Sequence, residues 1–247
     1  MEGNVKIDKV EIRIGTSGYT YRHWWDNVFY PKDLPPSKWL QYYQKFFDTV
    51  ELNVTFYRLP LPKTFISWEK RTLPNFLFSV KGSRVITHLK KLKDVEKALE
   101  VFFNNVALLK KKVGVILWQF PPSFKKDLSR LNEFIDLMGN KGYLDWRHTF
   151  EFRHSSWFTD DVFQVLKEHN IALCIAHSKV WPCVEEITAN FLYLRFHGGE
   201  ILYGSEYSLE ELKIGAKKLK NGWEEKKPFL LILITILEVL QLKMLSC

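Results

Sequence analysis

The sequence predicts an α/β fold, a single-domain TIM (β/α)8 barrel spanning residues 1–247. Three observations carry that expectation. Short apolar, β-rich runs alternate with longer amphipathic stretches, the pattern of parallel strands joined by helical crossovers. The 247 residues suit one such barrel, which takes about 250. Three apolar runs close on polar pairs spaced two apart: Glu51 with Asn53, Glu151 with Arg153, and Arg195 with His197. Residues two apart on a strand share a face, so in a ring of parallel strands these pairs converge on one rim. A doubly wound open sheet is the alternative. Against it, no Gly-rich phosphate fingerprint follows the first strand.

Taken in order, Ile12–Ile14 reads as the first strand, leading into Gly15-Thr16-Ser17-Gly18. Ser37, an N-cap type after two prolines, starts a helix to about Phe47. Thr49–Leu52 is the second strand, Lys63–Thr72 a helix and Phe76–Val80 the third strand. A helix over Leu92–Phe103 precedes a strand over Val113–Trp118, which stops at Pro121-Pro122. Lys126–Met138 is helical, with Leu128, Leu131, Ile135 and Met138 at core spacing. His148–Phe152 is a strand, Thr159–Glu168 a helix and Ile171–Ile175 a strand. Asn190–Phe196 is a strand and Ser208–Leu219 a helix. Phe229–Thr235 supplies a last strand, after a linker-like stretch from Leu219 to Pro228.

The formal charge is +8, and lysine clusters dominate it: Lys90-Lys91-Lys93, Lys110 to Lys112, and Lys217-Lys218-Lys220. Spread over several helices, they read as solvated faces. The competing reading is a nucleic-acid footprint. The three cysteines, Cys174, Cys183 and Cys247, form no metal or redox spacing, and an odd, unframed set fits a reducing, cytoplasmic setting. The polar, charged N-terminus has no signal-peptide character. Phe229 to Leu245 is apolar but carries Glu238, Gln241 and Lys243 and falls short of the roughly 20 clean residues of a membrane span, so no membrane partner is expected.

In such a barrel the reactive rim is where strands end and the following loops begin. The polar residues there are Thr16, Ser17, Glu51, Asn53, Lys81, Gln119, Glu151, Arg153, His177, Arg195 and His197, with His88 in the loop after Lys81. Two carboxylates, several cations and imidazoles form an acid/base and anion-binding set. Glu51, Glu151 and His197 are the catalytic candidates. Thr16, Ser17, Asn53, Lys81, His88, Gln119, Arg153 and Arg195 are the substrate-binding candidates. Alternatively, Glu151 and Arg153 form a lining ion pair, Gln119 caps a turn before Phe-Pro-Pro, and the Gly15–Gly18 turn simply lets the chain bend. Aromatic residues after strand ends (Tyr19, Tyr21, Trp24, Trp25, Phe56, Tyr57, Trp118, Trp157) fill core and rim, and a few could stack on a sugar or a base. No HExxH or similar spacing marks a metal site, and no cofactor is identified.

These residues lie in stretches that resemble the YecE-like family, domain of unknown function 72. The stretches are IGTSGYTYRHWW, FFDTVELNVTFYRLP, FSVKGSRVITH, ILWQFPPSF, FEFRHSSWF and YLRFHGG, in that order from Ile14 to Gly199. The resemblance implies the barrel and implies that the rim residues are the family's shared polar set. It implies no known reaction. Looser similarity to sugar-isomerase-like and metal-dependent endonuclease barrels is fold-level analogy. Two departures stand out. His177 occupies a position where the family places an Asp. The tail over 228–247 lacks the family's closing Asn-Asn strand.

The tail has a coding explanation. Ile234 to Ser246 can be encoded so that a frame two bases later reads Asn-Asn-Ile-Arg-Gly-Phe-Thr-Ile-Lys-Asn-Ala-Lys, which predicts a frameshift near Lys227. Resequencing the gene checks it. The sequence thus points to an enzyme acting on a small polar or anionic substrate, with sugar isomerisation or epimerisation as the natural chemistry. A nucleic-acid-binding or endonuclease-like barrel is the second reading, and a non-catalytic or decayed copy the third. Oligomeric state is not legible.

Overall fold

In the computed structural model the described residues are 11–197 and the backbone of Phe229–Ile234. Eight strands run in chain order: β1 (Glu11–Thr16), β2 (Thr49–Leu52), β3 (Leu77–Lys81), β4 (Val113–Gln119), β5 (His148–Glu151), β6 (Ala172–His177), β7 (Phe191–Phe196) and β8 (Phe229–Ile234). Every neighbouring pair is parallel, so all carboxyl ends lie on one side. The α-helices are α1 (Trp39–Tyr43), α2 (Val54–Tyr57), α3 (Pro62–Arg71), α4 (Glu96–Val106), α5 (Leu128–Asn140) and α6 (Asp160–Glu168).

The regular TIM (β/α)8 barrel expected from the sequence is corrected. The side chains are described for seven strands, which form a curled, all-parallel sheet with helices, TIM-like only in outline. Backbone pairing of β8 with β7 and β1 carries the strand order round to its start. The strand–helix alternation, however, is not kept. Among the described residues no helix joins β6 to β7. That connection carries Pro182 together with Val180, Val184, Ile187 and Thr188, types that disfavour a helix. Two seams are short, with two residue pairs each between β1 and β2 and between β5 and β6. The expected helix over Ser208–Leu219, the linker Leu219–Pro228, the Lys217 cluster, Cys247 and the tail beyond Ile234 lie outside the described residues.

Two apolar layers position the mouth. Outside the sheet, helices pack on a core including Phe78, Val80, Trp118, Phe134, Phe150 and Trp157. Inside the curl, Val115, Leu117, Ala172, Cys174, Ala176 and Tyr193 form a second cluster. Strand alternation separates the two: Trp118 and Phe150 face outward, while Leu117 and Tyr193 face inward. The helices start as their sequences dictate. Pro62 opens α3, where a missing N–H costs nothing. The Asp127 carboxylate caps α5 by accepting from the Arg130 N–H at 3.0 Å.

Candidate functional site at the carboxyl ends of the strands

Inward alternation carries the strand-end residues above the apolar layer. Ser79 and Lys81 share a face of β3, as do Tyr193 and Arg195 on β7. The Ser79 and Tyr193 hydroxyls meet at 2.6 Å, and the Tyr193 O–H donates to Glu51 Oε2 at 2.9 Å. This is the floor of the mouth.

Arg195 is its centre. Nη2 donates to Glu51 Oε1 at 2.9 Å and Nη1 to Glu151 Oε2 at 2.5 Å. Ser17 Oγ adds a 2.6 Å bond to Glu51 Oε1, and Asn53 Nδ2 donates to Ser17 Oγ at 2.7 Å. Both carboxylates are wholly buried, which only a matched set of donors makes affordable. Glu151 Oε1 also accepts from Arg153 Nε at 2.7 Å, and His197 Nε2 lies 3.8 Å from the same oxygen. Burial works to raise the Glu151 carboxyl, but Arg153 and Arg195 together hold it well below the usual range. Burial, then Arg195, pushes the His197 imidazole down to about 2, so it is neutral at physiological pH.

Two cations have open heads. The Arg153 guanidinium stacks 3.9 Å from the Trp181 ring, and among the described residues only its Nε makes a hydrogen bond. Lys81 is buried, with 8% of the residue exposed, and its ammonium makes no hydrogen bond among the described residues. It lies 4.4 Å from the Phe56 ring. Burial first, and then the Arg195 charge, lowers Lys81 to about 8, against the pull of Glu51 and Glu151. By formal charge, two carboxylates face Arg153, Arg195 and Lys81, leaving one positive charge in the group.

His88 flanks Lys81 through Phe56, whose ring it meets edge-on at 4.8 Å. It rides on a π-helical turn over Val85–Leu89, an uncommon form often found at functional sites. Burial, then Lys81, lowers His88 to about 4. Gln119 Nε2 donates to the Phe120 carbonyl at 2.9 Å and lies 3.5 Å from His88 Nε2. Thr16 is not brought to the mouth. It precedes Ser17 and so faces the other way, its hydroxyl meeting Tyr43 Oη at 2.9 Å and donating to the Gly18 carbonyl. Gly18 adopts φ +107°, and the Tyr21 hydroxyl donates to the Ser17 carbonyl beside it. A Cβ on Gly18 would lie 2.6 Å from that hydroxyl, so the turn needs glycine there. His177, at the end of β6, is exposed.

Sequence reasoning missed Tyr193, Ser79 and Trp181. The first two stand two residues before Arg195 and Lys81, so extending the same-face rule downward finds them. Trp181 sits in the non-helical β6–β7 connection, and no periodicity marks it.

The described lysines are dispersed. Lys110 pairs with Glu69 and Lys112 donates to the Thr72 carbonyl, both at the amino end of β4. Lys141 pairs with Glu96 and Glu100, and Lys126 with Asp161. Among the described residues no His, Cys, Asp and Glu group could hold a metal, and no helix is long and apolar enough to cross a membrane.

The family described as protein of unknown function DUF72 matches residues 13–235. The UPF0759 protein YecE of Escherichia coli K12 is 28% identical over 120 residues, which is 48% of this chain and 43% of YecE. The UPF0759 protein YunF of Bacillus subtilis is 29% identical over 169 residues, 62% of this chain and 54% of YunF. The chain thus spans about half the length of the curated relatives it matches. A crystal structure of a DUF72 family protein (TM1631) from Thermotoga maritima superposes with TM-score 0.80 at 29% identity, covering 95% of this chain and 98% of that one. The DUF72 family protein EF0366 of Enterococcus faecalis superposes with TM-score 0.75 at 18% identity, covering 97% and 99%, a likeness of fold alone.

Proposed function

The chain belongs to the DUF72 family, and on that premise we propose that it is an enzyme acting on a small, anionic, polar substrate held at the carboxyl-end mouth. Sugar isomerisation or epimerisation is the reaction class that suits its groups. The observation that carries this reading is the pair of open cation heads, Lys81 Nζ and the Arg153 fork, beside a carboxylate network already satisfied. A buried ammonium without a hydrogen-bond partner is costly, and an anionic ligand offsets that cost.

The roles expected from sequence are redistributed. Lys81 and Arg153 receive the anion, whereas Arg195 is occupied in holding Glu51 and Glu151. Glu51 is the better general base, because Glu151 answers to two guanidiniums. Neutral His197 serves as a hydrogen-bond donor to a polarised oxygen, not as a proton-loaded acid. Lysines at both ends of the sheet, several paired, favour a small ligand over a nucleic acid, which needs a continuous basic track.

The test is thermal denaturation and calorimetry with phosphate, acetate and a sugar-phosphate panel, with turnover followed on the same panel. A small anion should stabilise the wild type, and the stabilisation should vanish in the Lys81→Met, Arg153→Met double variant. Equal stabilisation of both proteins, or of neither, overturns the proposal.

A further inference from the structure

We propose that Lys81 captures a carbonyl group of the substrate covalently, so that the ligand class of this mouth is a small anionic aldehyde or ketone. The inference rests on the anion-binding reading above and deepens it. Three features of the geometry support it.

The first is the absence of a partner. A lysine that serves structure donates its hydrogens to acceptors, as Lys112 does to the Thr72 carbonyl and hydroxyl at 2.8 and 3.1 Å. Lys81 donates to no described residue although it is as well buried as Lys112, each being 8% exposed. The second is its surroundings. Phe56 covers the amine on one side, while Arg195 lies close enough to oppose its charge. A lysine desolvated next to another cation is one way a protein obtains a nucleophilic amine near neutral pH. Lys81 accordingly falls to about 8, which leaves roughly a tenth of it as free amine at pH 7. The third is the open fork of Arg153, which supplies an anchor for an anionic group while the amine meets the carbonyl.

The step balances without another reactant. The Lys81 nitrogen, having released one proton to solvent, attacks the carbonyl carbon and forms the C–N bond. The nitrogen then passes a second proton to the carbonyl oxygen, giving a neutral carbinolamine, and that hydroxyl takes up the proton first released and leaves as water as the nitrogen lone pair closes the C=N bond. Net, the ammonium and the carbonyl compound give a protonated imine and one water. The positive charge stays at Lys81, where Glu51 and Glu151 face it.

The experiment is reductive trapping of the full chain with pyruvate or glycolaldehyde phosphate and cyanoborohydride, read by intact mass and peptide mapping. The expected result is one adduct per chain, concentrated on Lys81 at least tenfold over the exposed lysines, with trapping rising as pH passes through about 8. Adducts spread evenly over surface lysines, or equal single-adduct yield in Lys81→Met, overturn it. Peptide mapping of the wild type decides the matter even where that variant fails to fold. Acetate, an anion without a reactive carbonyl, separates the two claims. Acetate binding that needs Lys81, without pyruvate trapping, sinks the covalent step and leaves the anion site. Absence of both sinks the two together.

Discussion

Arg195 Nη1 stands 2.5 Å from Glu151 Oε2, with both side chains buried, and its other terminal nitrogen reaches Glu51. One guanidinium from β7 thereby ties β5 to β2 across the curl. Such a pair contributes little net stability against an apolar equivalent, but breaking it strands charge in a dry place.

Arg195→Met should therefore cost about 3–5 kcal/mol, the range for an uncompensated buried charge. Urea denaturation measures it. A loss below about 1 kcal/mol would mean that water reaches the carboxylates.

Lys81→Met should act in the opposite sense. Lys81 titrates at about 8 when folded and 10.5 ordinarily. Below pH 8 it is charged in both states, and folding bears the full burial penalty. Between about pH 8 and 10.5 the unfolded chain holds more protons, so wild-type stability rises with pH, by up to a few kcal/mol. Lys81→Met should lack that rise and match or exceed wild-type stability at pH 7. Paired urea titrations at pH 7, 9 and 10.5 check both statements.

The buried histidines predict acid sensitivity. Burial lowers His88 and His148 to about 4, and His197 lies lower still. Each is neutral when folded but protonates near 6.5 when unfolded. Stability should then fall as pH drops from about 6.5 toward 4. Imidazole NMR at pH 5 should show all three uncharged in the folded protein, and a His148 titration near 6.5 would contradict its buried place, where Nδ1 accepts from Trp118 Nε1 at 3.0 Å.

Gly15→Ala probes the β1–β2 seam. A Cβ there would lie 2.2 Å from the Thr49 carbonyl oxygen, which is backbone and cannot step aside. The expected loss is about 1–3 kcal/mol or more, seen as a lowered thermal midpoint.

Much of this was legible in the residues. β2 matches its expected bounds, Thr49–Leu52, a short run whose four residues are all buried. Helix starts were harder. The helix expected from Leu92 begins at Glu96, because Lys91, Leu92 and Asp94 adopt positive φ, a tertiary outcome that propensity does not encode. The helix expected over Ser37–Phe47 divides into a 3-10 turn over Pro36–Lys38 and a short α1, in a stretch dense with aromatic residues that pack on Trp24 and Phe29. At the mouth, spacing two apart located Glu51, Glu151 and Arg195, and position at a strand end located Lys81. It could not show that Arg195 is consumed by two acids while Lys81 is left open, because that matching depends on which strands face each other across the curl. Thr16 fits the sequence criterion of a polar residue at a strand end, although alternation alone sends it outward.

The most direct measurement is the titration of Lys81 by NMR, with lysine ε-carbons labelled and the signal assigned through Lys81→Arg. The account predicts a midpoint near pH 8 that moves upward when inorganic phosphate is added. A midpoint near 10.5, unmoved by phosphate, would contradict it.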